Sequence, residues 1–145
     1  MSLESGYEKV STVLDYYDGI LTGVADYNGK PHFFECIFDK EEGRWIDTYL
    51  LSPIDSETLQ LALEDWDIWL RWEAAFYAGQ VKEDSEGALP EDRERHAQLK
   101  EILDQRLVIN PENALKAKGD FRPVGERPKN YHGFGSLEVK WSLAE

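Results

Sequence analysis

Glu73 is the strongest candidate for a general acid or base, because it falls within an apolar arc of a predicted helix. Burial among apolar neighbours would raise its pKa toward the range of a general acid or base. The other candidate carboxylate of this helix, Asp65, is eight residues away, or ~12 Å along the helix axis, which exceeds the ~5–9.5 Å between paired glycosidase acids. A hydrolase or lyase would therefore need His32 or His132 beside Glu73. The alternative, that Glu73 accepts hydrogen bonds from a structural arginine, is the interpretation we favour.

Metal binding and nucleophilic catalysis have weaker support. The closest ligand pair is His32 and Cys36, which a strand would hold ~13 Å apart, too far to share an ion bound at ~2.0–2.3 Å. The sequence contains no Cys-x-x-Cys, His-Glu-x-x-His or Gly-x-Ser-x-Gly pattern, and Cys36 has no basic neighbour to lower its pKa. The Gly-x-Gly of residues 132–136 lacks the strand–loop–helix context of a phosphate site. We therefore expect no metal, no cofactor and no catalytic residue.

Aromatic residues are concentrated in the predicted long helix, where they occupy one broad apolar arc: Trp66, Trp69, Trp72, Phe76 and Tyr77. Most of such an arc normally belongs to the core. This one is wider than one sheet can cover, so we expect it to contact the second helix or another subunit as well. Because tryptophan and tyrosine are enriched in interface hot spots, we predict that these five residues form a binding surface or a homodimer contact.

The charge balance excludes some partners. Sixteen Lys and Arg against twenty-nine Asp and Glu give a net charge of −13, which repels phosphate backbones, so we expect no nucleic acid. No apolar run reaches the ~20 residues that cross a bilayer, and no targeting signal is visible, so we expect a cytoplasmic protein without membrane contact. An acidic surface maintains solubility, and it also fits a basic protein partner.

The strongest local signal for structure is Asn28-Gly29, which suits the two positive φ angles of a type I′ turn. With Tyr27 opposite Lys30, this turn sets the register of the two flanking strands. The predicted pairs are Ala25 with His32, Gly23 with Phe34 and Leu21 with Cys36. They share one face, on which the Phe34 ring would cover the gap left by Gly23.

The remaining elements follow from periodicity and caps. A third strand covers residues 45–51, a long helix begins at Asp55 and stops near Gly79, and a second helix begins at Pro90 and is closed by Asn110-Pro111. Two further strands cover residues 114–121 and 137–143, and residues 10–17 read as helix or strand, with strand favoured. The sequence thus predicts one α+β domain over residues 1–145, ordered β-β-β-α-α-β-β, with an antiparallel sheet of about five strands packed against two helices.

Four segments resemble a group of short, uncharacterised bacterial proteins with no assigned activity: residues 15–19 (DYYDG), 23–32 (GVADYNGKPH), 50–55 (LLSPID) and 66–73 (WDIWLRWE). The resemblance spans residues 10–95 and implies no function. From the residues themselves we predict a non-enzymatic protein-interaction module, such as an acidic inhibitor or immunity-type partner of a basic protein. The alternative is the small hydrolase or lyase that uses Glu73 with a histidine.

Overall fold

The computed structural model describes residues 6–16, 19–81, 87–124 and 136–143. Its strands are β1 (Tyr7–Tyr16), β2 (Ile20–Tyr27), β3 (Lys30–Asp39), β4 (Arg44–Pro53), β5 (Leu115–Pro123) and β6 (Leu137–Leu143). Between β4 and β5 lie helix α1 (Ser56–Tyr77), a single 3₁₀ turn (Pro90–Asp92) and helix α2 (Arg93–Arg106). The predicted α+β composition is confirmed.

The sheet is a closed barrel of six antiparallel strands in sequence order, so the expected open sheet of about five strands is wrong. The difference comes from β1, which pairs with β2 on one side and with β6 on the other; Val10 is opposite both Ala25 and Leu137. Register shifts in β1 mark irregularities of the kind that bend a strand around a barrel. Closure pairs the backbone groups that an open sheet would leave at its two edges.

The hairpin between β2 and β3 has the predicted register, with Tyr27 opposite Lys30, Ala25 opposite His32 and Gly23 opposite Phe34. Asn28 and Gly29 have φ angles of 52° and 76°, as a type I′ turn requires. The Glu8 carboxylate of β1 accepts hydrogen bonds from both turn amides, at 3.0 and 2.7 Å. The turn is therefore stabilised by a neighbouring strand as well as by its own residues.

Aromatic rings fill the barrel interior. Phe34 is fully buried, and its ring centroid lies 5.6 Å from Tyr49, 5.5 Å from Phe121 and 5.8 Å from Trp141. A Cβ at Gly23 would lie 2.7 Å from the Phe34 ring, so the prediction that this ring covers the glycine is confirmed. The interior is a packed core of large rings around positions where only glycine fits.

The two helices lie outside the barrel and form a second core with it, made of Val24, Ala62, Ile68, Ala88, Leu99 and Leu103. Asp55 caps α1 as predicted, because its Oδ1 accepts the Thr58 amide at 2.8 Å. The expectation that α2 continues to Asn110 is wrong, because α2 ends at Arg106. The chain then returns to the barrel, where the Asn110 amide donates to the Ser52 hydroxyl at 2.8 Å. No helix in the described part of the chain is long and apolar enough to span a membrane.

Candidate functional site

The structure separates Glu73 from His32, one of its two predicted histidine partners. Glu73 is buried in the last quarter of α1, whereas the buried His32 lies on β3 opposite Pro53, which just precedes α1. Eighteen residues at 1.5 Å each place Glu73 roughly 27 Å along the helix from Asp55. The His32 ring contacts the Lys30 carbonyl oxygen at 2.8 Å. His132 lies outside the described residues.

Four of the five aromatic residues predicted to form a binding surface contact one another within α1. Trp69, Trp72, Phe76 and Tyr77 form a continuous series of ring contacts, with centroids 5.0, 5.1 and 5.1 Å apart. Trp72 is buried, and the exposed member is Tyr77, at 52%. Trp66 lines a cleft of about 580 Å³ between α1 and β1. The role of these residues in binding a partner or in a homodimer stays a prediction.

A different set of side chains converges where the helices meet the barrel. We call this cleft, of about 480 Å³, the helix–barrel groove. Its residues are Leu14, Asp15, Thr22, Phe33 and Glu35 from the barrel and Asp65, His96, Lys100, Leu103, Asp104 and Leu107 from the helices and the residue after α2. Four of them are apolar, and four carry a carboxylate. The groove is therefore an apolar channel with acidic walls.

The barrel wall of the groove is a row of polar residues on three neighbouring strands. Asp15 pairs with Thr22, and Thr22 pairs with Glu35. Because side chains alternate along a strand, Glu35 and Phe33 point outward while Phe34 points into the barrel. The Thr22 hydroxyl donates to Asp15 Oδ2 at 2.8 Å. The Glu35 carboxylate accepts no hydrogen bond from any residue in the described ranges.

The helical wall holds a histidine–carboxylate pair. His96 Nδ1 lies 2.6 Å from Asp65 Oδ1, and their side chains are 32% and 18% exposed. Because a carboxylate only accepts, this contact assigns the proton to Nδ1 and leaves Nε2 as the second functional atom of the ring. Lys100 pairs with Asp104 at 3.2 Å. Four carboxylates thus face one lysine in the groove, which gives it a negative potential.

A second cleft, of about 530 Å³, adjoins the groove and shares Asp15, Thr22 and Glu35 with it. We call it the aromatic cleft, because its other lining residues include Phe38 and Trp45, along with Leu21 and Cys36. The Phe38 and Trp45 rings meet edge to face with centroids 5.0 Å apart, and they are 43% and 40% exposed. They pair across β3 and β4 beside a register shift.

Cys36 gives the aromatic cleft an unreactive floor. Its Sγ donates to the Ile46 carbonyl oxygen at 2.9 Å, and burial raises the pKa of the thiol. A neutral, hydrogen-bonded thiol is a poor nucleophile. Within the described ranges, no group of three or more His, Cys, Asp or Glu side chains is placed to hold a metal ion.

The sequence did not reveal this site, because its residues come from five separate elements. Asp65 and His96 are 31 positions apart on different helices. One signal was present: the predicted hairpin register places Glu35 on the face opposite Phe34. Comparison of the chain with protein-family models, with curated proteins and with solved structures found no match.

Proposed function

We propose that this protein is a protein-interaction module that binds a basic segment of a partner protein in the helix–barrel groove. The observation that carries the proposal is the composition of that groove, in which four carboxylates and one lysine surround apolar side chains. An acidic inhibitor or immunity-type partner of a basic protein is the specific form of this function.

Charge supports a cationic ligand on two scales. The whole chain carries a net charge of −13, which steers basic molecules toward it and gives association a strong salt dependence. Within the groove, Lys100 and His96 are already paired with Asp104 and Asp65. Asp15 and Glu35 have no cationic partner among the described residues, so they are the two carboxylates that a basic segment would meet.

Apolar contact supports a peptide rather than a small inorganic cation. Leu14 and Phe33 on the barrel side and Leu103 and Leu107 on the helical side line the groove. The aliphatic stems of lysine and arginine pack on such surfaces while their charged ends reach carboxylates. A basic segment could therefore use both the floor and the walls.

The test is calorimetric titration with an octalysine peptide at two salt concentrations. We expect Asp15→Asn combined with Glu35→Gln to weaken binding about tenfold, because two partly exposed ion pairs contribute on the order of 0.7 kcal/mol each. The matched control is Asp67→Asn with Glu112→Gln, which removes the same charge from exposed positions outside the groove. Equal affinities of the two double variants would refute the groove as the binding site.

The pair of Asp65 and His96 supports a second candidate function, acid–base hydrolysis. Asp65 orients the ring, and Nε2 is the atom that would accept a proton from water, as in other histidine–carboxylate pairs. In this candidate function the acid–base pair is Asp65 of α1 and His96 of α2, in place of Glu73 with His32 or His132. Hydrolysis of p-nitrophenyl acetate above the buffer rate, lost in His96→Gln and reduced in Asp65→Asn, would support it. Unchanged rates in both variants would leave the pair as a link between helices.

A further inference from the structure

We propose that the aromatic cleft binds the guanidinium group of an arginine side chain, so that the partner segment is recognised by arginine rather than by lysine. This inference rests on the proposed function, because the arginine belongs to the basic segment that occupies the adjoining groove. The two clefts share Asp15, Thr22 and Glu35, so a chain lying in the groove can place one side chain in the aromatic cleft.

The aromatic wall is the first argument for an organic cation. Phe38 and Trp45 keep about two fifths of their surface exposed while already in edge-to-face contact with each other. Exposed aromatic rings beside a concavity are typical of ligand-binding surfaces. An aromatic face attracts a cation through its quadrupole, and tryptophan does so most strongly. A strongly hydrated inorganic ion would have to lose its water to use this wall.

The acidic wall is the second argument. Asp15 and Glu35 line the cleft, and no basic residue is among the described residues that do so. Thr22 occupies Oδ2 of Asp15, while Oδ1 and both oxygens of Glu35 accept no hydrogen bond within the described part of the chain. Three carboxylate oxygens without a described partner and two rings therefore belong to residues that line the same cleft, and an anionic ligand is disfavoured.

The combination of walls distinguishes arginine from lysine. A guanidinium is planar, donates up to five hydrogen bonds in a fixed fork and stacks on aromatic faces, so it can meet a carboxylate and a ring at once. A lysine ammonium is a compact, strongly hydrated charge that gains less from stacking. Leu21 and Cys36 complete an apolar floor against which the arginine stem can pack.

The test compares two octapeptides of alternating Lys and Gly, one of which has a central Lys replaced by Arg. We expect the arginine peptide to bind the wild-type chain about threefold to fivefold more tightly in calorimetric titration. Trp45→Ala and Glu35→Gln should each abolish that preference, and Trp45→Phe should keep part of it. The control Leu143→Ala removes an exposed apolar side chain outside the cleft and should leave the preference unchanged.

The outcomes separate this inference from the function on which it rests. Equal affinity of the wild-type chain for both peptides, with the loss expected for the Asp15 and Glu35 double variant, would overturn the arginine site and leave the basic-segment function standing. A preference for arginine that persists in Trp45→Ala and Glu35→Gln, with folding confirmed by circular dichroism, would also overturn the site. Absence of binding to either peptide would overturn both proposals.

Discussion

Replacing Gly23 by alanine should destabilise the barrel, because a Cβ at this position has no room. The ideal Cβ would lie 2.2 Å from the Thr12 carbonyl oxygen and 2.7 Å from the Phe34 ring. Gly23 is on β2 between β1 and β3, opposite Val13 and Phe34. The obstacle on the β1 side is backbone, which cannot turn away as the end of a flexible side chain can.

The loss in free energy of unfolding expected for Gly23→Ala is the sum of three contributions. Carbon–oxygen contacts normally exceed ~3.3 Å, so the Thr12 carbonyl must retreat by about 1 Å. Forcing an extra carbon into a packed core costs about 1–3 kcal/mol, and a weakened ladder hydrogen bond costs about 0.5–1.5 kcal/mol more. Alanine recovers about 0.4–1 kcal/mol by restricting the unfolded chain. We expect a net loss of about 2 kcal/mol, and a fall in Tm of roughly 4–8 °C for a chain of this length.

Urea unfolding followed by circular dichroism measures this loss, and two further variants locate its cause. Gly119→Ala should cost less, because its Cβ would meet only the rings of Trp141, Phe121 and Tyr49, at 2.8–3.1 Å. Adding Phe34→Leu to Gly23→Ala should not restore stability, because the contact with the Thr12 oxygen remains. A loss below about 0.5 kcal/mol for Gly23→Ala would refute the reasoning, and full restoration by Phe34→Leu would assign the strain to the ring alone.

Four other predictions follow from the described geometry. Gly29→Val should cost about 1–2 kcal/mol in thermal unfolding because φ is 76° there, while Gly29→Asn, which tolerates that angle, should cost less; equal losses would contradict the turn assignment. Leu103→Asp should unfold the chain, because a charge in the second core lowers the free energy of unfolding by about 3–5 kcal/mol. Leu103→Met should give the circular dichroism spectrum of the folded chain. Thr58 donates hydrogen bonds that lower the pKa of Asp55. The cap therefore stabilises the fold at pH values above the ordinary pKa of this carboxyl, and it loses this contribution as the pH falls through the lowered pKa. Asp55→Asn should flatten the acid side of the stability–pH curve below about pH 4. Elemental analysis should find no stoichiometric zinc, and one equivalent that is lost in a His32→Ala variant would overturn the strand argument against metal binding.

The local elements were predictable because each depends on residues that are close in sequence. Asn28 and Gly29 specify the hairpin register through their own backbone preferences. Asp55 marks the start of α1, because its carboxylate reaches an amide three residues later. The end of α2 was not predictable in the same way. Asn110 lies beyond the helix, where its amide donates to the hydroxyl of Ser52 on β4, a residue 58 positions away in the chain.

Strand β6 shows what the alternation of apolar and polar residues cannot predict. Leu137, Val139, Trp141 and Leu143 alternate regularly, yet only the first two are buried, and Leu143 is 64% exposed. Alternation reports which face a residue occupies, and it contains no information on where that face reaches the rim of a barrel. The extent of the core is thus a property of the closed structure.

Composition, and contacts over a few positions, were enough to predict the charge of this protein, the hairpin, the cap of α1 and the residues that face one another across β2 and β3. Barrel closure depends on the packing of the whole chain, because β1 pairs with a strand about 130 residues later. The same packing forms the groove, where Asp65 meets His96, and the aromatic cleft, where Glu35 and Asp15 share a lining with Trp45. The packing of strands and helices determines which side chains become neighbours. The free energy of that packing comes from contacts throughout the core, and no short segment contains enough of them to predict it.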